Sequence, residues 1–360
     1  MVVSKRLGWI GVDIGTHAVK LAQVVRDGGT MRLYRSAVIQ RPTAWSGEDG
    51  QALDQPASSR LEIRAARQCG RFAGRNAVSV LPMNVCELRG LSVPPGDHGE
   101  RRSMIEDELS AEWEEKRVAM EFDFWELENG QSEKGSDSFN VSMLAVTRPW
   151  ISQVANDCRD AGLDCWAVDG LPLAMARAVS LAGGAGAGRR ALAVDWGYSN
   201  TTLCVIGDNR ACYTRRAGNC AFGGALEKIA RSLGVTADQA QHLADAHGVL
   251  LPTGEGATDP KVQAAIGDAI AGTLSGLVDQ TRRTLQFLEM QRRHLHPMAV
   301  WLMGGGASMR NIGPWLAHEL QIPVHIWQLP YEEGGLPAAE NRTALFAGAA
   351  ALSALAWRAA

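Results

Sequence analysis

Asp13, Gly15, Thr16 and Lys20 stand within one short stretch, Trp9-Ile-Gly-Val-Asp-Ile-Gly-Thr-His-Ala-Val-Lys20. Together they offer the chemistry of a phosphate cradle. A glycine at 15 lets backbone N–H groups come close to a ligand, Thr16 adds a hydroxyl, and Lys20 adds a point charge. Asp13 supplies a carboxylate suited to ordering water around Mg²⁺. A second stretch, Ala191-Leu-Ala-Val-Asp195-Trp-Gly197-Tyr-Ser-Asn-Thr-Thr202, repeats the arrangement, with Asp195 and Gly197 followed by the polar turn Tyr198, Ser199, Asn200 and Thr201. A third, Gly304-Gly-Gly-Ala-Ser308, follows an apolar run and precedes a helix. Consecutive glycines let the backbone lie flat against a purine or a phosphate, and a helix N-terminus favours an anion. The Gly-x-x-x-x-Gly-Lys-Ser/Thr pattern of a P-loop is absent.

The elements that must position these residues are legible as alternating apolar runs. Trp9–Val25 reads as a hairpin broken at Gly15 and Thr16, and Asp27-Gly28-Gly29 turns it into a third strand, Met31–Ile39. The second copy does the same through Gly207-Asp-Asn into a strand at Ala211–Arg216, so the repeat covers a whole meander. Two such units imply a duplicated fold, with the two Asp-x-Gly turns facing each other across a cleft. Residues 41–59 read as a loop. A helix is expected over Arg60–Gly74, with Leu61, Ala65, Cys69 and Phe72 on one face, and a strand over Asn76–Leu81. Ser103 is placed to cap a helix over Met104–Lys116. Strands follow at Val118–Leu127 and Val141–Val146 around a loop at 129–138, then a helix at Ile151–Gly162 and a strand at Cys165–Val168. Helix, two strands, helix and strand suggest a compact inserted α+β unit. Ala182–Arg190, rich in Gly and Ala, reads as a linker. A long helix is expected over Lys261–His294, packed beneath the cleft. Trp9, Trp166, Trp196 and Trp301 are expected in the core.

Composition bounds the partners. Hydrophobic residues make up 46% and charged residues 21%, and the net charge is −3, so no global basic field suggests nucleic acid. The charge is uneven. Residues 106–128 hold ten acidic side chains against Lys116 and Arg117, while Arg282, Arg283, Arg292, Arg293, His294 and His296 cluster late in the long helix. Both runs read by default as solvated faces, with docking of a basic partner by the first, and contact with lipid or nucleic acid by the second, as the alternatives. Seven scattered cysteines without a Cys-x-x-Cys pair argue against a disulfide framework or a zinc knuckle and fit a reducing compartment. The longest apolar run, Ala344–Trp357, is 14 residues, short of the roughly 18 needed to span a bilayer. No hydrophobic signal segment precedes the first strand.

The three motifs in this order resemble the actin-like ATPase superfamily, with Asp13-x-Gly15-Thr16-x-x-x-Lys20, Asp195-x-Gly197 and Gly304-Gly305-Gly306 as its two phosphate motifs and its adenosine motif. Within it the chain looks most like the PilM family of type IV pilus assembly proteins, over almost its full length. The narrower likeness rests on Gly11–Leu21, Ile105-Glu-Asp-Glu-Leu109, Ala161–Ala174 and Gly223–Ala230. The resemblance implies an α/β, actin-like fold: two ribonuclease-H-like domains around a nucleotide cleft, with an inserted α+β subdomain. The first domain would take 8–88, 169–181 and 342–360, the insert 89–168, the linker 182–190, the second domain 191–222 and 297–341, and its helical subdomain 223–296.

The resemblance also implies ATP and Mg²⁺ as ligands. Asp13, Gly15, Thr16, His17, Lys20, Asp195, Gly197, Tyr198, Ser199, Asn200, Thr201, Gly223, Gly224, Gln241, Gly304, Gly305, Gly306 and Ser308 would line the nucleotide, and Asp13 and Asp195 would hold Mg²⁺ through water. Two departures stand out. Relatives carry Ala-Glu-x-x-Lys where this chain has Gln241 and Ala244, and an acid before the proline where it has Leu171, with Asp169 two places back. The expectation is weaker nucleotide binding and slow or absent hydrolysis. The implied role is a cytoplasmic scaffold, peripheral to the inner membrane and compatible with homo-oligomerisation. It would dock the N-terminal tail of a PilN-like protein in a groove for which Val78–Val85 and Val141–Thr147 are the candidate walls. The rival readings are a sugar kinase, a nucleotide-free GspL-like scaffold of type II secretion, and an FtsA-like filament-former. No sugar-binding motif is found, and neither a transmembrane segment nor an amphipathic tail helix is seen.

Overall fold

Apolar residues alternate from the first strand, and the computed structural model, which describes residues 6–42, 45, 57–116, 119–127, 139–184, 189–332 and 342–357, places them in a meander. Its strands are β1 (Arg6–Leu7), β2 (Ile10–Ile14), β3 (Ala18–Asp27) and β4 (Thr30–Gln40), followed by α1 (Arg60–Gly70) and β5 (Asn76–Val80). Next come β6 (Glu87–Val93), α2 (His98–Lys116), β7 (Met120–Glu126), β8 (Phe139–Thr147), α3 (Arg148–Asp160), β9 (Asp164–Asp169) and α4 (Leu171–Leu181). The second half opens with β10 (Arg190–Trp196), β11 (Thr201–Gly207), β12 (Arg210–Ala217), α5 (Phe222–Leu233), α6 (Ala237–Ala246) and α7 (Pro260–Gln291). It closes with β13 (Ala299–Met303), α8 (Ile312–Leu320), β14 (Val324–Ile326) and α9 (Ala347–Ser353).

The duplication is visible in the pairing. The first sheet runs β4-β3-β2-β5-β9 and the second β12-β11-β10-β13-β14, in each case an antiparallel meander extended by two parallel strands. Period-2 alternation sends Ile10, Val12 and Ile14 to the face covered by α1 and α3. The opposite face, with Val78 and Val80, packs on α4 and α9, and α4 also touches the second sheet, so these two helices lie between the halves. Gly11 is what lets α9 lie flat on β2, because a Cβ there would overlap the Ala349 carbonyl.

Several expectations are corrected. Helix α1 buries Ile63, Ala66 and Gly70, and leaves Leu61 66% exposed. The helix stops at Gly70 with Arg71 in the left-handed region, so Phe72 folds back over Gly70 instead of extending the helical face. Helix α2 begins at His98, not after Ser103. Asp97 Oδ1 accepts from Glu100 N (2.9 Å), and Glu100 Oε2 accepts in return from Asp97 N (2.8 Å). The span 89–168 is not one unit. β6, β7 and β8 form a separate three-stranded sheet with α2 and its own core around Ile105, Leu109, Phe124 and Met143, whereas β9 pairs with β5 and α3 packs under the first sheet.

Trp166 is 66% exposed because β9 is an edge strand, where it stacks on the half-buried Trp9 (5.9 Å). Trp196 is fully buried and Trp301 partly so. The long helix ends at Gln291, and none of its residues lines the central cleft. Much of the 41–59 loop, the 129–138 loop and the centre of the 182–190 linker lie outside the described residues. Among the described residues no helix is long and apolar enough to cross a membrane.

Candidate functional site

The two Asp-x-Gly turns are built alike. Gly15 N donates to the Ala18 carbonyl and Gly197 N to the Asn200 carbonyl, each at 3.0 Å, and a Cβ on either glycine would come within 2.8 Å of that same carbonyl. Each turn therefore closes as tightly as it does only with glycine. Register puts Lys20 directly across from Asp13, and the ammonium bonds Asp13 Oδ2 at 2.9 Å. Asp195 is the penultimate residue of the corresponding strand of the second half. Burial pushes its carboxyl up to about 6, against the pull of Lys20 and with the repulsion of Asp13 added. Burial disfavours the Lys20 ammonium too, but Asp13 and Asp195 outweigh it and the lysine is raised, so it stays charged between two carboxylates.

These groups share one cavity of about 360 Å³ between the halves. Of the residues expected from the sequence, Asp13, Gly15, Thr16, His17 and Lys20 line it from the first half. Asp195, Gly197, Tyr198, Ser199, Asn200, Gln241 and Gly305 line it from the second. The others stand behind this lining. Thr201 is fully buried with its hydroxyl on the Cys220 carbonyl (3.3 Å), and its neighbour Thr202 faces the cavity instead, since alternate strand residues point to opposite faces. Gly223 N holds the Tyr198 carbonyl (2.8 Å), and Gly224 follows it on α5. Gly304, at φ +86°, has no Cβ to collide with the Asp195 carboxylate, and Gly306 leaves room for the Trp196 ring.

Ser308 turns away and donates to Asp245 Oδ1 (2.6 Å), which also accepts from Gln241 (2.8 Å). Arg342, which the sequence reading missed, reaches the same carboxylate from the C-terminal segment. Its Nε lies 3.4 Å from Asp245 Oδ2 but is buried without a hydrogen bond, and the residue lines the cavity. Burial raises the Asp245 carboxyl against the opposing pull of Ser308, Arg342 and Gln241. No motif surrounds Arg342 in the sequence, so only tertiary structure could find it. Ala244 is fully buried.

Two contacts join the halves over this cavity. The Thr16 and Ser199 hydroxyls share a hydrogen bond of 2.7 Å, and the His17 and Tyr198 rings stack with centroids 3.8 Å apart and planes 5° from parallel. Burial lowers the His17 pKa, with Asp238 opposing and Lys20 assisting; burial and Glu227 raise that of Tyr198. The stack is therefore uncharged at neutral pH. Behind the first turn, Arg41 donates to the Gly15 carbonyl (3.0 Å) and to Ser59 Oγ (2.9 Å), while Trp45 N donates to the Thr16 carbonyl (2.8 Å).

A second cavity, of about 160 Å³, lies between the first sheet and the three-stranded sheet. Leu81, Leu144, Val146, Ile151 and Leu173 give it apolar walls, and Glu121, Asp123 and Asp169 give it acidic ones. Both stretches suggested by the sequence contribute, the first through Leu81 and the second through Leu144 and Val146, while Val78 and Val141 are core. Asp169 borders this cavity, is bound by Arg177, and does not line the central cleft; Leu171 does.

Comparison with known proteins agrees with this architecture. The sequence profile of the family described as type IV pilus assembly protein PilM matches residues 11–352. A structure of a PilM-PilN type IV pilus biogenesis complex aligns over 97% of this chain and 98% of that chain, with a TM-score of 0.72 and 22% identity. The ethanolamine utilization protein EutJ from Carboxydothermus hydrogenoformans aligns over 98% and 91%, with a TM-score of 0.53 and 13% identity. At such identities the structural likeness is one of fold, an actin-like one.

Proposed function

The chain belongs to the PilM family of type IV pilus assembly proteins, and from that membership we propose that it is an ATP-binding scaffold that docks a PilN-like membrane protein. The observation that carries the nucleotide half of this reading is the convergence of two identically built glycine turns, with Asp13, Lys20 and Asp195, on a single cavity. Backbone N–H groups and an ammonium suit phosphate oxygens. Two carboxylates at the same place suit a hard dication, so the donor set fits Mg²⁺. When bound, Mg²⁺ would be held by Asp13 and Asp195 through water and would neutralise phosphate charge. Gln241 and Arg342 would face the sugar and base, with Arg342 supplying the cation that Ala244 cannot.

Turnover is not the output this site favours. Leu171 occupies the cleft position where relatives carry an acid, and Asp169 is held by Arg177 outside it. Binding energy would instead set how firmly the halves close. In this reading the first actin-like domain is the first sheet with α1, α3, α4 and α9. The inserted subdomain is the three-stranded sheet with α2. The second domain is the second sheet, with α5, α6 and α7 as its helical subdomain.

A structure of a PilM relative in complex with PilN motivates the partner. The second cavity has apolar walls, with Asp123 at its rim and with Glu121 and Asp169 held by Arg148 and Arg177, which suits an extended, mainly apolar segment carrying a basic residue. Docking such a tail would hold the chain at the cytoplasmic face of the inner membrane.

Titration with a fluorescent ATP analogue, with and without Mg²⁺, tests the nucleotide reading. Saturable, Mg²⁺-dependent binding that Asp195→Ala abolishes is the expected outcome. No binding, or equal binding by the variant, would overturn it. A synthetic PilN-like N-terminal peptide tests the partner, and failure to bind both the apo and the ATP-loaded chain would remove that half of the reading.

A further inference from the structure

The end of the second half farthest from the cleft carries a surface that neither cavity uses. Asp195 lies near the cleft end of β10, and Arg190 opens the same strand, about 17 Å away at the rise of an extended chain. At that end three segments are tied together. Arg190 Nε donates to the His294 carbonyl (3.1 Å), and Met298 N donates to the Arg190 carbonyl (3.0 Å). Arg210 opens β12 opposite Gly207, itself paired with Arg190. From there α7 carries Arg283, Phe287 and Met290 at helical spacings of four and three, on one stripe. Stacking of Phe287 on Tyr213 of β12 (5.2 Å) places that stripe beside the sheet edge.

Two features of this surface belong together. Met290 is 79% and Met298 69% exposed, more than any other large apolar side chain among the described residues. Arg189, Arg190, Arg210, Arg283, Arg292 and Arg293 belong to these same segments, with Arg190 paired to Asp208 (3.3 Å) and Arg293 to Glu289 (3.3 Å). The chain as a whole has a net charge of −3 and gathers ten acids at 106–128, so this basic end is a local reversal of sign. Guanidiniums bind phosphate diesters through paired N–H groups, and long unbranched methionines enter a lipid interface readily. A nucleic acid would use the arginines but would bury Met290 and Met298 only by unstacking a base step, which costs a few kcal/mol, whereas a lipid interface takes them without that cost.

We infer that this end of the molecule is a direct membrane-contact surface, with arginines on the headgroups of anionic phospholipids and Met290 and Met298 in the headgroup–acyl boundary. The contact needs no partner peptide, so it stands or falls separately from PilN-like docking.

The test is sedimentation of the full chain alone with vesicles of phosphatidylcholine, or of phosphatidylcholine with one third phosphatidylglycerol. The chain is expected to sediment with the anionic vesicles only, and to be released as salt shortens the screening length to about 3 Å. Met290→Ser with Met298→Ser, and separately Arg210→Glu with Arg293→Glu, should each weaken partitioning about tenfold. Leu61→Ser, at an equally apolar exposed site on α1, should not. All four substituted side chains point outward, so melting temperatures should stay at the parent value; if one pair lowers it, the other pair decides. Equal binding to both vesicle types, or parent-like binding by the pair that decides, would overturn the inference. So would displacement from the vesicles by a short DNA duplex that the methionine variant still binds as the parent does, which would assign the arginines to nucleic acid.

Discussion

Asp195 is the residue whose environment says most about the cleft. Its carboxyl titrates near 6 in the folded chain and near 4 when unfolded. The folded state therefore holds the extra proton between those values, and stability falls as pH rises through that window. Above pH 6 the ionised carboxylate costs on the order of 3 kcal/mol in the ligand-free protein. Asp195→Asn is accordingly expected to match the parent in urea unfolding near pH 4 and to exceed it by about 1–3 kcal/mol at pH 8. Equal midpoints at both pH values would show that the buried charge is not under strain. Asp13, Gly15, Lys20, Asp195 and Gly197 were legible in the sequence because local spacing alone sets a tight turn with a cross-strand pair. Arg342 and Thr202 were not. One arrives from a segment with no motif, and the other depends on which face of β11 meets the cavity.

At the scale of elements, the close seating of α9 on β2 turns on one missing side chain. Gly11→Ala would drive a Cβ into the Ala349 carbonyl, which should cost at least about 2 kcal/mol. Gly90→Ala, in open space on β6, should change the urea midpoint little. Equal loss of stability in both variants would show that the cost does not come from the helix contact, since alanine is the better strand former of the two. The meander repeat was readable from period-2 alternation. The buried face of α1 was not, since Leu61, Ala65 and Cys69 form as plausible a stripe as Ile63, Ala66 and Gly70; packing under the sheet chose between them. The apparent unit at 89–168 divided for the same reason. A parallel strand such as β9 takes its partner from across the fold, and nothing local to it names β5.

Across the whole molecule the two cavities share walls. Leu81 lines both, and the start of α4 presents Leu171 to the cleft and Leu173 to the groove. All residues lining the second cavity belong to the first half, so movement of the halves at the Thr16–Ser199 and His17–Tyr198 contacts would reach it through Leu81 and the start of α4. A ligand in each should therefore change the other's affinity by the same factor, about fivefold or more, measured by titrating the PilN-like peptide with and without ATP and the nucleotide with and without peptide. Leu81→Ala should shrink that factor, and independence of the two titrations would sever the proposed link. By itself the sequence determined the glycine turns, the acids and lysine they present, the duplicated meander and the family, because these depend on residues a few positions apart. Only the tertiary structure decided which helix faces are buried, where α3 and β9 belong, that Arg342 lines the cleft, and that Met290 and Met298 stand exposed at the end where Arg190 and Arg210 lie. Those depend on pairing and packing between residues tens to hundreds of positions apart, which no local pattern encodes.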